Sequence, residues 1–377
     1  MVNNSLKVGI IGVICCGLGL GGCRPEKTKP TPTPTVAPLD LKLELDNLSF
    51  EQVDKQGKPL WRVRAAKGVY SPNRKRAKVT NLSGDFYQDG KIAFHLTAKT
   101  GEVEQEGEKI FLRGDVTTYS IKNNLVLVGQ EVEWQPKTDL LTVSDRVQAT
   151  HPSLQANADR CQYFSRKEQL ELNGKITSFT REPRLAMQTE HLTWLVKSQK
   201  IIGDRPVQVQ RYQGEQIIAR ATANSSISLL DRKIIDLRGN VRFNNVNPPV
   251  QVDGEAFSWS IDRQIVTTDR PLKIVHSTEQ VTLTGGGGEV NLAASTATLA
   301  TNAQGFATRN RAKLRADKLV WEMTSQQLIG TGNVVYQQTN PQIKFTGSRG
   351  IGKLQDQSVV ISSDQRGQVR TEVTPKQ

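Results

Sequence analysis

The stretch LRADKLVWEMTSQQLIGTGNVVYQQ, Leu314–Gln338, holds two alternating apolar runs separated by the polar segment TSQQ. This alternation is typical of two antiparallel β-strands joined by a turn. Three other stretches repeat the phrase: GEAFSWSIDRQIVTTDRPLKIVHS (Gly254–Ser277), TEHLTWLVKSQKIIGDRPVQVQR (Thr189–Arg211) and QEVEWQPKTDLLTVSDRVQA (Gln130–Ala149). A Trp-centred hairpin is therefore a repeated unit of the chain.

The repeats share a fixed distance. An apolar residue follows each Trp by 13 positions, in the pairs Trp134 and Val147, Trp194 and Val207, Trp259 and Leu272, and Trp321 and Val334. Other residues take the Trp position in the pairs Val69 and Leu82, Val103 and Val116, Tyr163 and Ile176, and Ser228 and Val241. These tryptophans are 60 to 65 residues apart and occupy alternate units, so one repeating hairpin is about 31 residues long.

A bend is predicted inside each unit, because Gly or Asp often stands two positions before the second member of the pair. These residues are Gly114, Asp145, Gly174, Gly239 and Gly332. The copy near 292–306 departs from the pattern. TGGGG, Thr284–Gly288, lacks the Lys-Ser/Thr of a phosphate-binding loop and indicates a bulge or flexible bend.

The fold predicted from these repeats is all-β. No convincing helical pattern follows Leu39, and a lone hairpin is only marginally stable in water. Stacked hairpins share one continuous core. We therefore expect an elongated antiparallel structure of two facing sheets, which form an open-ended trough with apolar residues inside.

The N-terminus predicts export to a membrane. Residues 1–22 carry one cation, Lys7, followed by an apolar run from Val8 to Leu20, which is short for a membrane span and suits a signal peptide. The run ends in LGGC, which is similar to a lipobox with Cys23 as the lipid-attachment residue. The alternative is an uncleaved N-terminal helix. Both place the rest of the chain outside the cytoplasm, tethered to a membrane.

Residues 23–38 form a Pro/Thr-rich tether, RPEKTKPTPTPTVAP from Arg24, which favours an extended polyproline conformation. The chain as a whole is basic, with 50 Lys and Arg against 37 Asp and Glu and a net charge of +13. This favours anionic partners, among them anionic lipid headgroups and phosphorylated glycolipids. The cations are dispersed, apart from the run Asn73–Lys78 at an expected turn, so no nucleic acid is expected as a partner.

No catalytic or metal-binding motif is present in the sequence. The four His residues lack a second ligand at a usual spacing, and neither HExxH, CxxC nor GxSxG occurs. We expect His95 and His191 to lie at the surface or rim. Cys161 has no partner within the chain if Cys23 is lipidated, and we expect it to be a buried apolar residue. The predictions are therefore no enzyme, no metal and no cofactor.

A resemblance to a known family lies in Leu48–Ser120. This segment is similar to LptC, the periplasmic component of the lipopolysaccharide export system. The similar elements come in order: Trp61, Val63, Ala65, Gly68 and Tyr70; Phe86, Tyr87, Asp89 and Gly90; Leu96, Ala98, Gly101 and Val103; Ile110, Leu112, Gly114 and Val116. The resemblance covers about 39–180, and the repeats of 181–377 are similar to LptA/OstA-type β-jellyroll units that continue the same stack.

The resemblance implies a β-jellyroll that shields the acyl chains of lipopolysaccharide and needs no chemistry of its own. It also implies partners: an inner-membrane permease and ATPase complex, and an LptA-like or LptD-like jellyroll at the far edge, docked by strand addition. The protein would be periplasmic, anchored to the inner (plasma) membrane. The residues expected to line the lumen are Val103, Val116, Trp134, Val147, Trp194, Val207, Trp259, Leu272, Trp321 and Val334.

Three alternatives remain open at this stage. One is a polysaccharide-acting enzyme, because a pair of carboxylates from the repeats could flank a sugar. The inward residues could form a dry core with no ligand, because in a narrow jellyroll the same side chains can pack and line. The chain could also be a structural or adhesive repeat lipoprotein exposed at the cell surface. The typical member of the resembled family has one transmembrane helix and a folded part about half as long, so the anchor and the extra repeats depart from its pattern.

Overall fold

The computed structural model of the protein describes residues 43–104, 109–308, 311–339, 342–354, 358–363 and 368–373. These residues contain 26 β-strands and two 3-10 helices, Pro136–Thr138 and Ser165–Lys167, so the all-β prediction is confirmed. The strands are β1 (Glu44–Val53), β2 (Pro59–Tyr70), β3 (Arg76–Gln88), β4 (Lys91–Glu104), β5 (Ile110–Ser120), β6 (Leu125–Gln135), β7 (Leu140–His151), β8 (Leu154–Phe164), β9 (Gln169–Thr180), β10 (Leu185–Leu195), β11 (Lys200–Gly203), β12 (Val207–Gln213), β13 (Gln216–Ala223), β14 (Ser225–Leu229), β15 (Ile234–Asn245), β16 (Val250–Ser260), β17 (Ile265–Thr268), β18 (Leu272–His276), β19 (Val281–Gly285), β20 (Gly287–Asn291), β21 (Thr296–Ala307), β22 (Ala312–Glu322), β23 (Gln327–Gln338), β24 (Ile343–Lys353), β25 (Ser358–Ser362) and β26 (Arg370–Val373).

The strands form one antiparallel ladder in which neighbours along the chain pair with each other, and most long strands bend near the middle. In β5, residues 110–113 pair with the last part of β6, and residues 116–120 pair with its first part. The register shifts between Arg113 and Val116, and the same shift recurs between Ser144 and Val147. One strand therefore contributes to two sheets, which confirms the expected pair of facing sheets in an elongated β-jellyroll.

We call the two sheets the first wall and the second wall. In β5 and β6, the first wall contains the paired strand halves 110–113 and 131–134, and the second wall contains the paired halves 116–120 and 125–129. The equivalent halves of the other strands belong to the same walls. The bends join the walls along one side, the corner. The turns face each other along the other side, the mouth, where Lys122 of a second-wall turn meets Glu168 of a first-wall turn.

Glycine and aspartate form the corner, as the sequence predicted. The φ angles are +79° at Gly114, +58° at Asp145, +95° at Gly174, +76° at Gly239 and +73° at Gly332. These angles lie in the left-handed region, which glycine enters without a Cβ penalty and which re-aims a bulged strand. Gly174 is also closely approached, because a Cβ placed on it would lie 2.6 Å from Cβ of Asp159.

At four places along the ladder the chain is interrupted at the corner, so that two short strands replace one long strand. These pairs are β11 with β12, β13 with β14, β17 with β18, and β19 with β20. The glycine run supplies the last interruption: Gly286 lies between β19 and β20, and its N–H donates to the carbonyl oxygens of Ala300 and Thr301 at 3.1 and 2.9 Å. The run is therefore part of the corner. Pairing within each wall continues across every interruption.

The core lies between the walls as one continuous apolar cluster from Trp61 to Tyr336. Alternate residues of each strand half point inward; in β9 these are Leu170 and Leu172 before the bend and Ile176 after it. The 13-residue pairs are explained by the same geometry. Each Trp lies beside the mouth in the first wall, and the residue 13 positions later lies beside the corner in the second wall.

Candidate functional site

One row of inward side chains runs along the first wall beside the mouth. Its members are direct cross-strand partners: Trp194 pairs with Ile201, Ile201 with Ser228, and Ser228 with Ile235. We call this set the mouth row. Its members are Val103, Ile110, Trp134, Leu141, Tyr163, Leu170, Trp194, Ile201, Ser228, Ile235, Trp259, Val266, Val290, Ala297, Trp321, Leu328, Gly352 and Val359.

The ten predicted lumen residues are all buried in the interior, in two separate groups. Val103, Trp134, Trp194, Trp259 and Trp321 belong to the mouth row, and each is at most 4% exposed. The second group lies beside the corner in the second wall: Val116, Val147, Val207, Leu272 and Val334. The structure thus places both groups inside the trough but does not bring them together at one point. Their contact with a ligand stays a prediction. Cys23 lies outside the described residues.

Each mouth-row Trp meets an aromatic ring of the opposite wall. The ring centroids of Trp194 and His151 are 5.4 Å apart, and those of Trp259 and Phe243 are 5.0 Å apart. Trp134 contacts Phe86 and Phe94, and Trp321 contacts His276. All these contacts are edge to face, the arrangement that the charge distribution of aromatic rings favours. The aromatic pairs therefore bridge the interior at four levels of the ladder.

The indole N–H groups of these four tryptophans are buried and have no hydrogen-bond partner among the described residues. Trp61 differs, because its Nε1 donates to Oε1 of Gln52 at 2.6 Å. An unpaired buried donor is unfavourable by roughly 1–3 kcal/mol. The interior thus offers four donors, spaced along the first wall, to any ligand that carries a carbonyl or hydroxyl oxygen.

His151 and His276 occupy equivalent places at the second-wall side of the mouth. Burial lowers the pKa of both imidazoles below the ordinary value of 6.5. Nδ1 of His151 accepts the Ser153 N–H, and Nδ1 of His276 accepts the Glu279 N–H, each at 3.2 Å. Each ring is thus held neutral with its proton on Nε2. His95 and His191 lie at the surface, as predicted, each 2.7 Å from a carboxylate oxygen of Asp85 or Asp204.

Polar contacts close the mouth in the N-terminal part of the ladder. Nζ of Lys122 lies 2.5 Å from Oε1 of Glu168, whose side chain is 8% exposed. This hydrogen bond raises the pKa of Lys122. Asn123 donates to the Tyr163 hydroxyl at 3.1 Å. We call the set that crosses the mouth here the N-terminal clasp; it comprises Gln88, Asp89, Lys122, Asn123, Tyr163, Ser165, Arg166 and Glu168.

A second polar closure lies further along. Nε2 of Gln326, in a first-wall turn, donates to Oε1 of Glu279, in a second-wall turn, at 2.8 Å. The His276–Trp321 bridge lies next to this contact, because His276 is the last residue of β18 and Trp321 the next-to-last residue of β22, and the two turns follow these strands. We call these four residues the C-terminal clasp.

A cavity of about 340 Å³ opens between the two clasps. Ile201, Ser228 and Ile235 of the mouth row line its first-wall side, and Met187 and Val209 line its second-wall side. None of the ten predicted lumen residues lines it. The sequence did hold the signal, because Ser228 occupies a position that Trp or Tyr fills in other units. A smaller cavity of about 60 Å³ lies at Gly352, another mouth-row member with little or no side chain.

Reactive groups are few in the described residues. Burial raises the pKa of the Cys161 thiol to about 12, and its side chain is fully enclosed, in agreement with the prediction of a buried apolar role. The described ranges contain no group of three or more His, Cys, Asp or Glu side chains that could hold a metal ion. Across the same ranges, no helix is long and apolar enough to cross a membrane.

Comparison with known proteins gives one family. The profile of the family described as "Lipopolysaccharide-assembly, LptC-related" matches residues 9–181 and 208–309, well over half of the chain. Among solved structures, the chain is similar to LptH of Pseudomonas aeruginosa, described as the LptA homologous periplasmic component of the conserved lipopolysaccharide transport device. The identity is 13%, the match covers 42% of this chain and 95% of LptH, and the TM-score is 0.22. No curated protein matches the chain.

Proposed function

The chain belongs to the LptC family of lipopolysaccharide-assembly proteins, and from this we infer that its apolar trough holds the acyl chains of lipopolysaccharide during transport. Acyl chains exposed to water are unfavourable in proportion to their apolar area, at about 25 cal/mol per Å². Two facing walls with inward apolar side chains remove that area from water. The sugar part would remain outside, beyond the mouth.

The observation that carries this proposal is the continuity of the interior. The apolar cluster passes through every level of the ladder, from Trp61 of β2 to Tyr336 of β23. A dry core of this kind could stabilise the fold without a ligand. The four unpaired indole donors and the cavity at Ser228 support the ligand-binding alternative, because a purely structural interior gains nothing from either.

The two ends of the ladder support docking by strand addition. Within the described residues, β1 pairs with β2 alone, and both β25 and β26 pair with β24 alone. Exposed apolar side chains lie on these end strands: Leu45 and Val53 on β1, and Val360 on β25. We propose that one end meets the inner-membrane permease and ATPase complex. The other end would meet an LptA-like or LptD-like jellyroll.

The anchor and the domain division belong to the same proposal. A lipid on Cys23, or an uncleaved N-terminal helix, would hold the chain at the inner membrane, with 23–38 as the tether. Residues 39–180 would form the LptC-like part. Residues 181–377 would extend the trough and perform part of the work of a separate bridging protein. No catalytic step is proposed, and the energy for transport would come from the partner ATPase.

The test is site-specific photo-crosslinking in cells that depend on this chain. p-Benzoylphenylalanine at Trp194 or Trp259 should capture lipopolysaccharide. The matched control positions are Thr193 and Ser258, which precede these residues in the same strands and point outward. Equal capture at inward and outward positions, or none at Trp194 and Trp259 while a known lipopolysaccharide carrier is labelled, would refute the proposal.

A further inference from the structure

Ser228 interrupts the mouth row at the centre of the ladder. It lies in register between Ile201 and Ile235, whose other partners in the row are Trp194 and Trp259. At this point the row therefore has a hydroxymethyl group where neighbouring units have an indole or a phenol ring. The missing ring volume coincides with the cavity of about 340 Å³, which Ser228 lines.

The Ser228 hydroxyl has no hydrogen-bond partner among the described residues, although the side chain is only 4% exposed. Buried polar groups in native proteins are normally paired, so a lone hydroxyl in an apolar cavity indicates a missing partner. The first-wall turn begins two residues after Ser228, so the hydroxyl lies at the mouth end of the interior. A ligand here would place an oxygen near the mouth and apolar atoms further inside.

Charges at the rim indicate the sign of the ligand. Arg181 and Lys233 line the opening, from the second-wall and first-wall sides respectively, together with Glu182. Lys233 is held by Asp262, with Nζ and Oδ2 2.8 Å apart, and Arg181 is exposed. Lys233 is therefore already paired with a carboxylate, and the exposed Arg181 is the cation at the rim that favours an anionic head group.

The opening lies between the two closures of the mouth. The N-terminal clasp includes Tyr163, and the C-terminal clasp includes Trp321; Ser228 lies between these two members of the mouth row. A chain can therefore reach this cavity from the side without breaking either clasp. A volume of about 340 Å³ is near the lower end of small-ligand sites, roughly 300–1,000 Å³, which suits one acyl chain better than several.

We propose that the cavity at Ser228 is a lateral subsite that takes a single acyl chain of an anionic amphiphile. The chain lies between Ile201, Ile235 and Met187, and its acidic head lies at Arg181 and Lys233. The Ser228 hydroxyl donates to an oxygen at the junction of head and chain. This inference deepens the proposed function and rests on it, because it makes Ser228 the residue that decides where an acyl chain enters the trough from the side.

The test uses the full chain in mild detergent and 12-bromododecanoic acid, whose bromine quenches the fluorescence of nearby Trp residues. Trp194 and Trp259 are the cross-strand partners of Ile201 and Ile235, which line the cavity. We expect saturable quenching that is lost in Trp194→Phe/Trp259→Phe and kept in Trp134→Phe/Trp321→Phe. Ser228→Phe fills the cavity with a non-fluorescent ring and should lower the affinity for the brominated acid at least tenfold. Ser228→Ala keeps the cavity volume but removes one hydrogen bond, and should lower this affinity roughly two- to tenfold.

Two further variants keep the test valid if Ser228→Phe folds poorly. Thr193→Phe adds the same ring at an outward position of β10 that does not line the cavity, and should leave quenching unchanged. Arg181→Gln/Lys233→Gln changes only the rim and should lower the affinity for the brominated acid severalfold. Unchanged affinity in both Ser228→Phe and the rim variant would overturn the subsite. Unchanged affinity in Ser228→Ala would overturn the hydrogen bond assigned to the hydroxyl.

A parallel arm with purified lipopolysaccharide separates this inference from the proposed function. Lipopolysaccharide should compete with the brominated acid in the wild-type chain, which identifies the glycolipid as a source of the acyl chain. If the brominated acid binds but lipopolysaccharide does not compete with it, the subsite would be assigned to free fatty acids. If photo-crosslinkers at Trp134 capture lipopolysaccharide but Ser228→Phe changes nothing, the subsite fails alone. If nothing is captured at Trp134, Trp194 or Trp259, the proposed function itself fails.

Discussion

The indole of Trp194 and the imidazole of His151 meet edge to face across the interior, with ring centroids 5.4 Å apart and ring planes at 90°. Trp194 belongs to the first wall and His151 to the second. The same arrangement recurs at Trp321 and His276, with centroids 5.1 Å apart and planes at 82°. Each pair holds the two walls together beside the mouth.

Removing one ring should therefore destabilise the fold. Trp194 is completely buried, and Trp194→Ala should lower the free energy of unfolding by about 3–5 kcal/mol. Phe179, which is 47% exposed, is the matched control, and Phe179→Ala should change it by less than about 0.5 kcal/mol. Urea unfolding followed by far-UV circular dichroism measures both. Similar midpoints for the two variants would argue against the bridge as a structural contact.

The buried imidazoles predict a loss of stability in mild acid. The pKa of His151 and of His276 is lowered in the folded state from 6.5, so the unfolded chain binds protons first as the pH falls. Their contribution is complete above pH 6.5 and is lost as the pH falls from there to the folded pKa. Unfolding free energies at about pH 7.5 and about pH 5.5 test this.

The double variant His151→Phe/His276→Phe keeps an aromatic ring at each bridge but removes the titrating group. Between these two pH values it should lose less stability than the wild-type chain. An equal loss in both proteins would show that other groups cause the acid sensitivity.

The corner predicts unequal costs for two glycines with similar backbones. Gly174 and Gly90 have φ angles of +95° and +77°, so alanine costs roughly 1–2 kcal/mol at each. A Cβ at Gly174 would also lie 2.6 Å from Cβ and Cγ of Asp159, whereas one at Gly90 would have no atom within 4 Å. Gly174→Ala should thus cost about 1–3 kcal/mol more than Gly90→Ala. Thermal unfolding of the two variants is the measurement, and equal midpoints would contradict the crowded corner.

Cys161 should be inert in the folded protein. Its side chain is fully buried, and its thiol pKa is raised to about 12, so almost no thiolate exists near neutral pH. The clean test is a variant with Cys15, Cys16 and Cys23 changed to Ser. An aromatic disulfide reagent should release no chromophore from the native variant and one equivalent in guanidinium. Rapid reaction of the native variant would contradict the burial of Cys161.

The sequence predicts the repeat and the corner well because both depend on local chemistry. A residue with a left-handed backbone is usually Gly, Asn or Asp, so Gly114 and Gly239 mark bends without any structure. Alternation likewise identifies Trp194 and Val207 as inward. The copy near 292–306 looked irregular in sequence but forms a regular level of the ladder, because β21 has the same register shift as the other long strands, between Ala300 and Ala303, and Ala303 is buried.

The sequence did not predict the mouth row or the clasps, which depend on contacts between distant parts of the chain. The 13-residue spacing relates Trp194 to Val207, whereas the direct cross-strand partners of Trp194 are Leu170 and Ile201. The pair of Lys122 and Glu168 spans 46 positions and depends on how the two walls face each other. The sequence pattern shows Ser228 at a position that Trp fills in other units. Only the structure shows that a cavity lies there, because the neighbouring levels are closely packed.

The central claim is that the interior carries lipopolysaccharide along the ladder. It is tested most directly by crosslinking at pairs of adjacent residues, one with its side chain pointing inward and the other with its side chain pointing outward. Leu127 and Val334 point inward, whereas their neighbours Val128 and Val335 point outward, in the N-terminal and C-terminal parts respectively. A photo-crosslinker at each position, in growing cells, should capture lipopolysaccharide at Leu127 and Val334 and not at Val128 or Val335. Equal capture at neighbouring positions, or capture at the outward residues alone, would contradict the account.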